Sequence, residues 1–264
     1  MTIILGDHET MLARLVRPFR ERQASRGHAF VPRLEPLEDR LTPSPVPPLN
    51  PVISNQLSLS GSIVAQQQKT QTTSNQLTGP FLFFYTQAAH QNPTQTNDLM
   101  WAESVLVTDL QLFALDAQLS ATDPALANGF TNLQNSILAS PVFATPTGAA
   151  AATLAASLAL NVLTTPSTQP LLTATQLSYM LAYQQNPSQL GALNELVVSE
   201  VFLSLAQAYS VLDPVLHIND PTIAPSVVNE QMAIEANPVY HTTFGSLTAQ
   251  MVQAVTLSIY TVPS

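Results

Sequence analysis

The chain lacks cysteine and is poor in charge. With no cysteine among its 264 residues, disulfides, thiolate metal sites, iron–sulfur clusters and thiol nucleophiles are excluded. Only 9% of the residues are charged, against about 25% in ordinary soluble domains. All arginines lie in the first 40 residues, and Lys69 is the only base after them. Because phosphate contacts need clustered Lys and Arg, this scarcity and the net charge of −9 argue against a nucleic-acid partner.

Sequence motifs for catalysis are also missing. The eight glycines form no phosphate-binding loop, and Gly-x-Ser-x-Gly does not occur. The sequence contains neither His-Glu-x-x-His nor an Asp-x-Asp-x-Asp calcium loop. We therefore predict no catalytic, metal or cofactor-binding residues and no cofactor, and the sequence inclines against an enzyme without deciding the question.

The arginines are concentrated near the N-terminus. From Met11 to Arg33 the chain carries six Arg and one Glu, whereas residues 1–10 carry no base. This change in composition leads us to expect that translation starts at Met11 rather than Met1. No continuous apolar run of 7–15 residues follows, so the segment is not an ordinary secretory signal.

A specific motif follows the arginines, PRLEPLEDRLTPS at residues 32–44. It resembles the LEPLEDR-type N-terminal segment found on many otherwise unrelated exported proteins of planctomycete bacteria. The core of the motif is Leu34, Glu35, Pro36, Leu37, Glu38, Asp39 and Arg40. The resemblance implies export to the cell envelope or the extracellular space, with the export machinery as the partner of this segment. It implies a route and not an activity, because the attached domains vary.

Composition divides the chain into three parts. Residues 1–44 are predicted to be a disordered sorting-like segment, and residues 45–79 a Pro-rich and then Gln-, Ser- and Thr-rich linker with at most a marginal helix. Residues 80–264 carry the helical periodicity of a globular domain. We expect an all-α fold, an irregular bundle of five to seven helices preceded by the disordered segment and linker.

Apolar spacing and helix-breaking residues locate the predicted helices. Phe81–Tyr85 is an aromatic run that we interpret as a helix start or an aromatic plug, and Trp101 as core packing. Residues 214–225 are predicted to be a connecting loop. Five main helices are predicted. The first begins at Asn97 or Asp98 and ends at Asp123-Pro124, and the second begins at Thr147. The third covers Thr175–Gln185, the fourth runs from Pro187 to Asp213-Pro214, and the fifth covers 238–262.

Two further features bear on organisation. Asn97-Asp98-Leu99 and Asn194-Glu195-Leu196 each begin an apolar run, but this likeness alone does not establish a duplication, and no fixed-period repeat is predicted. The run at 149–163 is too short to span a membrane, and the C-terminal run is interleaved with polar residues. We expect no stable membrane span.

Two classes of function remain open. The first is a non-catalytic structural or interaction domain, with protein partners or self-association. The second is an exported enzyme or metal binder using carboxylate and imidazole groups, and its candidate residues are Asp109, Asp116, Glu200, His217 and His241. Asp109 and Asp116 share a helix face at about 10.5 Å, too far apart to act on one atom unaided. The simpler interpretation of each histidine is a solvated loop residue.

Overall fold

A computed structural model describes residues 79–160, 162–163 and 174–260, which belong to the second of the two units into which the chain divides, Pro43–Ser264. The sorting-like motif and the predicted linker up to residue 78 lie outside the described residues. Within them the protein is all-α, as predicted, with eight α-helices rather than five to seven. These are α1 Gly79–Ala89, α2 Pro93–Gln118, α3 Pro124–Ala139, α4 Pro146–Ala159, α5 Ala174–Gln185, α6 Leu190–Val215, α7 Ile223–Ala236 and α8 Thr243–Tyr260.

Three helices begin with a polar cap followed by proline. The side chains of Asn92, Asp123 and Thr145 accept hydrogen bonds from the backbone N–H groups of Gln95, Ala125 and Gly148. Proline then occupies the first turn of α2, α3 and α4, where its missing N–H costs nothing because that group has no partner within the helix. At these three positions proline begins a helix rather than interrupting one.

Several predicted boundaries were wrong. Helix α2 begins at Pro93, so Asn97 and Asp98 are buried inside it rather than capping it. Helix α4 is capped by Thr145 and not by Thr147. The 214–225 region contains only a short turn, because Pro214 lies inside α6 and Pro225 lies in the first turn of α7. Helix α7 was missed, and α8 begins five residues later than predicted. The prediction for Thr175–Gln185 is confirmed within one residue.

The eight helices form two copies of one four-helix unit. Asn194, Asp213, Asp220 and Gly245 each lie 97 positions after Asn97, Asp116, Asp123 and Gly148. Helices α2 and α6 both have 26 residues. We call α1–α4 the first repeat and α5–α8 the second repeat. The likeness of Asn97-Asp98-Leu99 to Asn194-Glu195-Leu196, undecided from the sequence alone, belongs to this duplication, and the prediction of no fixed-period repeat was wrong.

Backbone details recur at the same interval. Ser120 and His217 have positive φ angles of 52° and 56°. Gly148 and Gly245 donate their N–H groups to the hydroxyls of Thr145 and Thr242. These equivalences extend the duplication from the sequence to the turns and caps of the fold. Helices α1 and α5 are offset by 94 residues instead, because three extra residues precede α6.

Packing follows the same symmetry. Within each repeat the long helix packs on the third and fourth helices, and the first helix packs on the fourth. Helices α2 and α6 pack against each other in opposite directions, since Asn97 bonds to Asp213 while Asn194 bonds to Asp116. Trp101 is fully buried at this junction against Phe202 and Tyr209, with ring centroids at 4.9 and 6.2 Å. It serves core packing, as predicted.

One described helical segment, Pro187–Val215, is long and apolar enough to cross a membrane by length and composition. Two thirds of its most apolar window is buried inside the protein. Its apolar residues therefore contact the other helices, as those of a central bundle helix do.

Gly148 and Gly245 each lie close to the turn that precedes their own helix, and this close approach gives a test of the repeat geometry. A Cβ at Gly148 or Gly245 would overlap the backbone carbonyl of Val142 or Val239. We expect Gly148→Ala and Gly245→Ala each to lower the free energy of unfolding by about 1–3 kcal/mol, the usual cost of overpacking. Urea unfolding measures this.

Gly191→Ala is the matched control. Its added Cβ would make an ordinary contact of 3.6 Å with the Asp123 carboxyl. Because alanine favours helix over glycine by about 1 kcal/mol, this variant should be neutral or more stable. Equal destabilisation by all three substitutions would contradict the close approach at Gly148 and Gly245.

Candidate functional site: two buried tyrosine–carboxylate clusters

The carboxyl groups of the helical domain lie inside it. Of the eleven acids after residue 40, one is exposed, two are half-buried and eight are buried. The buried ones are Asp98, Glu103, Asp109, Asp116, Glu200, Asp213, Asp220 and Glu230. Residues 79–260 contain no Lys or Arg. These carboxyl groups therefore have no lysine or arginine partner among the described residues.

The first cluster comprises Tyr85, Asn97, Asp213 and Asp220. The Tyr85 hydroxyl lies 2.5 Å from Asp213 Oδ1 and 2.7 Å from Asn97 Oδ1. Asn97 Nδ2 lies 3.3 Å from Asp213 Oδ2 and 2.8 Å from Asp220 Oδ2. Tyrosine and asparagine come from the first repeat and both aspartates from the second. The cluster therefore joins the two repeats.

The second cluster comprises Tyr179, Asn194, Asp116 and Asp123. The Tyr179 hydroxyl lies 2.5 Å from Asp116 Oδ1 and 2.6 Å from Asn194 Oδ1. Asn194 Nδ2 lies 3.0 Å from Asp116 Oδ2 and 3.2 Å from Asp123 Oδ2. The same contacts are made with the repeats exchanged. Because 19 residues of helix separate Asn97 from Asp116, the clusters lie about 28 Å apart along α2.

A turn after each long helix brings the second aspartate to its cluster. Helices α2 and α6 both end in a Schellman motif, in which Ala121 and Ile218 donate to the carbonyls of Asp116 and Asp213, both at 2.8 Å. The left-handed residue of each motif is Ser120 or His217. The chain then reaches an Asp-Pro pair whose aspartate accepts a backbone N–H at the start of the next helix or turn.

Burial dominates the electrostatics of both clusters. It raises the pKa of Asp116 to about 6, although bonds from Tyr179 and Asn194 oppose the shift and nearby Asp123 adds to it. The pKa of Asp213 is raised for the same chief reason, with Tyr85 and Asn97 opposing. Desolvation and the neighbouring carboxyl groups also raise the pKa values of the Tyr85 and Tyr179 phenols, which stay protonated.

Other buried acids show the same behaviour without a cluster. Burial raises the pKa of Glu200 to about 7, and its Oε2 atom has no hydrogen-bond partner in the described part of the chain. Burial and nearby Asp220 raise the pKa of Asp98 to about 7. Burial and Asp123 raise the pKa of Asp109 well above its ordinary value. Each of these groups is therefore more stable inside the protein as a neutral acid.

The five residues of the predicted carboxylate and histidine site are not brought together. Asp116 and His217 belong to opposite ends of the α2–α6 pair. His217 is exposed and supplies the left-handed turn residue, while His241 is exposed and contacts the Glu235 carbonyl at 2.9 Å. Within residues 79–160, 162–163 and 174–260 no three His, Asp or Glu side chains are placed to hold a metal ion.

Sequence reasoning missed the tyrosines and asparagines of the clusters, both aspartates of the first cluster and Asp123 of the second. A signal for them exists in the chain. The spacing from Asn97 to Asp116 to Asp123-Pro124 recurs without change from Asn194 to Asp213 to Asp220-Pro221. A search for polar residues at equal intervals would have found it, although apolar periodicity did not.

Comparison with known proteins gives no relative. No protein-family model matches the chain, and neither a curated protein nor a solved structure matches it. The two clusters and the repeat that produces them are therefore interpreted from their own chemistry.

Removing a cluster hydroxyl should weaken the contact between the repeats. We expect Tyr85→Phe and Tyr179→Phe each to lower the free energy of unfolding at pH 5 by about 1–3 kcal/mol, because buried Asn and Asp oxygens lose a hydrogen-bond partner. Tyr240→Phe is the control, since its half-buried hydroxyl has no bond to any described residue. Equal losses in all three variants would count against a specific role for the clusters.

The buried carboxyl of Glu200 predicts the direction in which the stability of the protein changes with pH. Its pKa is raised from 4.5 to about 7 in the folded protein, so its contribution to stability is present in full below pH 4.5 and is lost as the pH rises to 7. Glu200→Gln cannot ionise. We expect the variant to be more stable than the parent at pH 8 by about 2 kcal/mol, with little change at pH 5.

The exposed residue Glu235 supplies the comparison. Glu235→Gln should change stability little at either pH, as measured by urea unfolding at pH 5 and pH 8. If Glu200→Gln were instead the less stable protein at pH 8, the group would be ionised and stabilised inside the fold, contrary to the burial described above.

Proposed function

We propose that the chain is an exported protein of the cell envelope or extracellular space, and that its helical domain acts by structure or protein interaction rather than by catalysis. The observation that carries the second part is the closure of the two clusters. Their carboxyl, amide and phenol groups bond to one another, and all but the half-buried Asp123 are buried. A catalytic carboxylate must instead reach a substrate.

The duplicated architecture supports a structural role. The same bonded group joins the repeats at both ends of the central helix pair, so each cluster acts as a cross-link between them. Glu200, Asp109 and Asp98 are buried between helices, and their shifted pKa values follow from burial and neighbouring acids.

The surface of the second repeat supports protein contact. Val211, Val215, Val228 and Met232 on α6 and α7 are between 54% and 69% exposed. The equivalent residues of the first repeat are Ala114, Gln118, Thr131 and Asn135. The two repeats share one fold but differ in these exposed apolar side chains. Folding does not require the difference, which supports protein contact at this surface of the second repeat.

The export part of the proposal depends on the PRLEPLEDRLTPS segment and its arginine-rich approach. Fractionation of the cells that produce the protein, with mass spectrometry of its N-terminal peptides, tests it. We expect the full-length protein in the envelope or extracellular fraction. A variant carrying Leu37→Ser and Arg40→Gln should accumulate in the cytosol, while Leu57→Ser in the predicted linker should not redirect it.

Recovery of the unaltered parent protein from cytosol alone would contradict export. The stability of the helical domain serves as a control, since neither substitution lies within residues 79–260. A change in localisation at unchanged stability would assign the effect to the motif.

A further inference from the structure

The two clusters contain fewer hydrogens than their close contacts require, a property that goes beyond the proposed function. In the first cluster four close contacts join Tyr85, Asn97, Asp213 and Asp220. Each needs one hydrogen, because every atom involved is oxygen or amide nitrogen. The phenol supplies one hydrogen and the asparagine amide two. With both aspartates ionised, one contact lacks a hydrogen.

Turning the asparagine amide does not remove the deficit. As placed, Asn97 Nδ2 donates to both carboxyl groups, and the single phenol hydrogen cannot serve Asn97 Oδ1 and Asp213 Oδ1 together. Turned over, the amide donates to the phenol oxygen, but its own oxygen then faces two carboxyl oxygens. As placed, the cluster needs a proton on one aspartate, and with the amide turned over it would need one on both.

The second cluster has the same deficit. Tyr179 lies within 2.6 Å of both Asp116 Oδ1 and Asn194 Oδ1, and the Asn194 amide contacts Asp116 and Asp123. Three hydrogens are again available for four contacts. That two independent sites share the deficit makes it a property of the fold and not of one side-chain placement.

We propose that each cluster is a proton-binding site, in which Asp116 or Asp213 carries a carboxylic proton that it donates to the tyrosine oxygen, and that these two protons lock the repeats together. The tyrosine then donates to asparagine, and asparagine donates to both aspartates. The proposal does not depend on export.

The partner aspartates accept hydrogen bonds at the carboxyl oxygen that lies outside each cluster. Asp220 Oδ1 accepts hydrogen bonds from the Thr222 N–H and from the hydroxyls of Thr94 and Thr222, at 2.7–3.0 Å. Asp123 Oδ1 accepts the Ala125 N–H at 2.9 Å. Donors favour the ionised form of the carboxyl that they contact. The proton therefore resides on the other aspartate of each pair.

Within residues 79–160, 162–163 and 174–260 no lysine or arginine lies near the clusters. His90 contacts only the Leu216 carbonyl in the turn before Asp220, at 3.0 Å, and His217 in that turn is exposed. The remaining titratable groups that act on the clusters are acids and phenols, namely Asp98 and Tyr209 for the first cluster, and Asp109, Glu195 and Tyr183 for the second.

The direction of the pH effect follows. Unfolded aspartate binds a proton only below about pH 4. Between that pH and the folded-state value, about 6 for Asp116, the folded chain binds more protons than the unfolded chain. Stability therefore falls as the pH rises, with a roughly tenfold change in the unfolding constant per pH unit for each cluster. The repeats are held most firmly in acid.

The test is substitution by asparagine in the full chain. In Asp116→Asn with Asp213→Asn, an amide N–H replaces the carboxylic O–H toward tyrosine, and the amide oxygen still accepts from the cluster asparagine. We expect a higher unfolding midpoint in urea than the parent at pH 8. Between pH 4 and pH 6 the unfolding constant should change about tenfold less per pH unit because Asp116 no longer titrates, and removal of the raised pKa of Asp213 should reduce the change further.

The partner aspartates give the matched control. In the double variant Asp123→Asn with Asp220→Asn, the new amide hydrogens face N–H and O–H groups that already donate hydrogen bonds. We therefore expect this variant to be less stable than the parent at both pH 5 and pH 8. The proposal would be overturned if Asp116→Asn with Asp213→Asn lost as much stability as this control and if its unfolding constant changed with pH as it does in the parent. The shifts of Asp98, Asp109 and Glu200 are caused by burial, Asp123 or Asp220 and not by Asp116 or Asp213, so these acids cancel in the comparison of the parent with the first variant.

A spectroscopic measurement on the parent protein covers the case in which a variant does not fold. Carbon-detected NMR of the aspartate carboxyl groups should show Asp116 and Asp213 titrating above their ordinary value of about 4. Titration of both at or below it would overturn the proposal. So would stabilisation at pH 8 by calcium chloride that EDTA reverses, because a cation would then occupy the place assigned to the proton.

Discussion

The structure depends on one constraint: carboxyl groups are buried in a domain that has no lysine or arginine to pair with them. An isolated ionised carboxylate in a protein interior costs many kcal/mol, so such a group is neutral, bonded to several donors, or both. The domain uses both solutions. Asp220 and Asp123 accept backbone and hydroxyl donors, while Glu200 and Asp98 titrate near neutral pH.

The duplication explains why the solution occurs twice. Each repeat supplies an aspartate pair at the end of its long helix and a tyrosine–asparagine pair near the start. Because α2 and α6 run in opposite directions, the end of one lies beside the start of the other. Two identical links then form about 28 Å apart, and neither repeat can complete a cluster alone.

Much of the fold could be predicted from the sequence. Apolar spacing and Asp-Pro or Asn-Pro breaks indicated the long helices, and the all-α class is confirmed. Helix α7 was missed because Pro221 and Pro225 suggested a loop, although proline is compatible with a first turn. The boundary at Asn97 was wrong because a polar residue preceding an apolar run resembles a cap, whereas here it is buried in a polar cluster.

The candidate site was harder to predict for a physical reason. A carboxylate on a helix is normally a solvated group, and the sequence does not show which helix faces it. Tyr85 and Asp213 are 128 residues apart, so only the tertiary fold brings them together. The exact recurrence of the Asn97, Asp116 and Asp123 spacing at an interval of 97 residues was available, but apolar periodicity does not reveal equal spacing of polar residues.

The central claim is that the folded domain holds acids in their neutral form. The most direct measurement is the number of protons exchanged on unfolding at pH 6, obtained from urea or thermal unfolding in weak buffer. We expect a net release of protons on unfolding, because groups that are neutral in the fold ionise once they reach water. No release, or net uptake, would show that the buried carboxyl groups are already charged in the folded protein and would contradict the account.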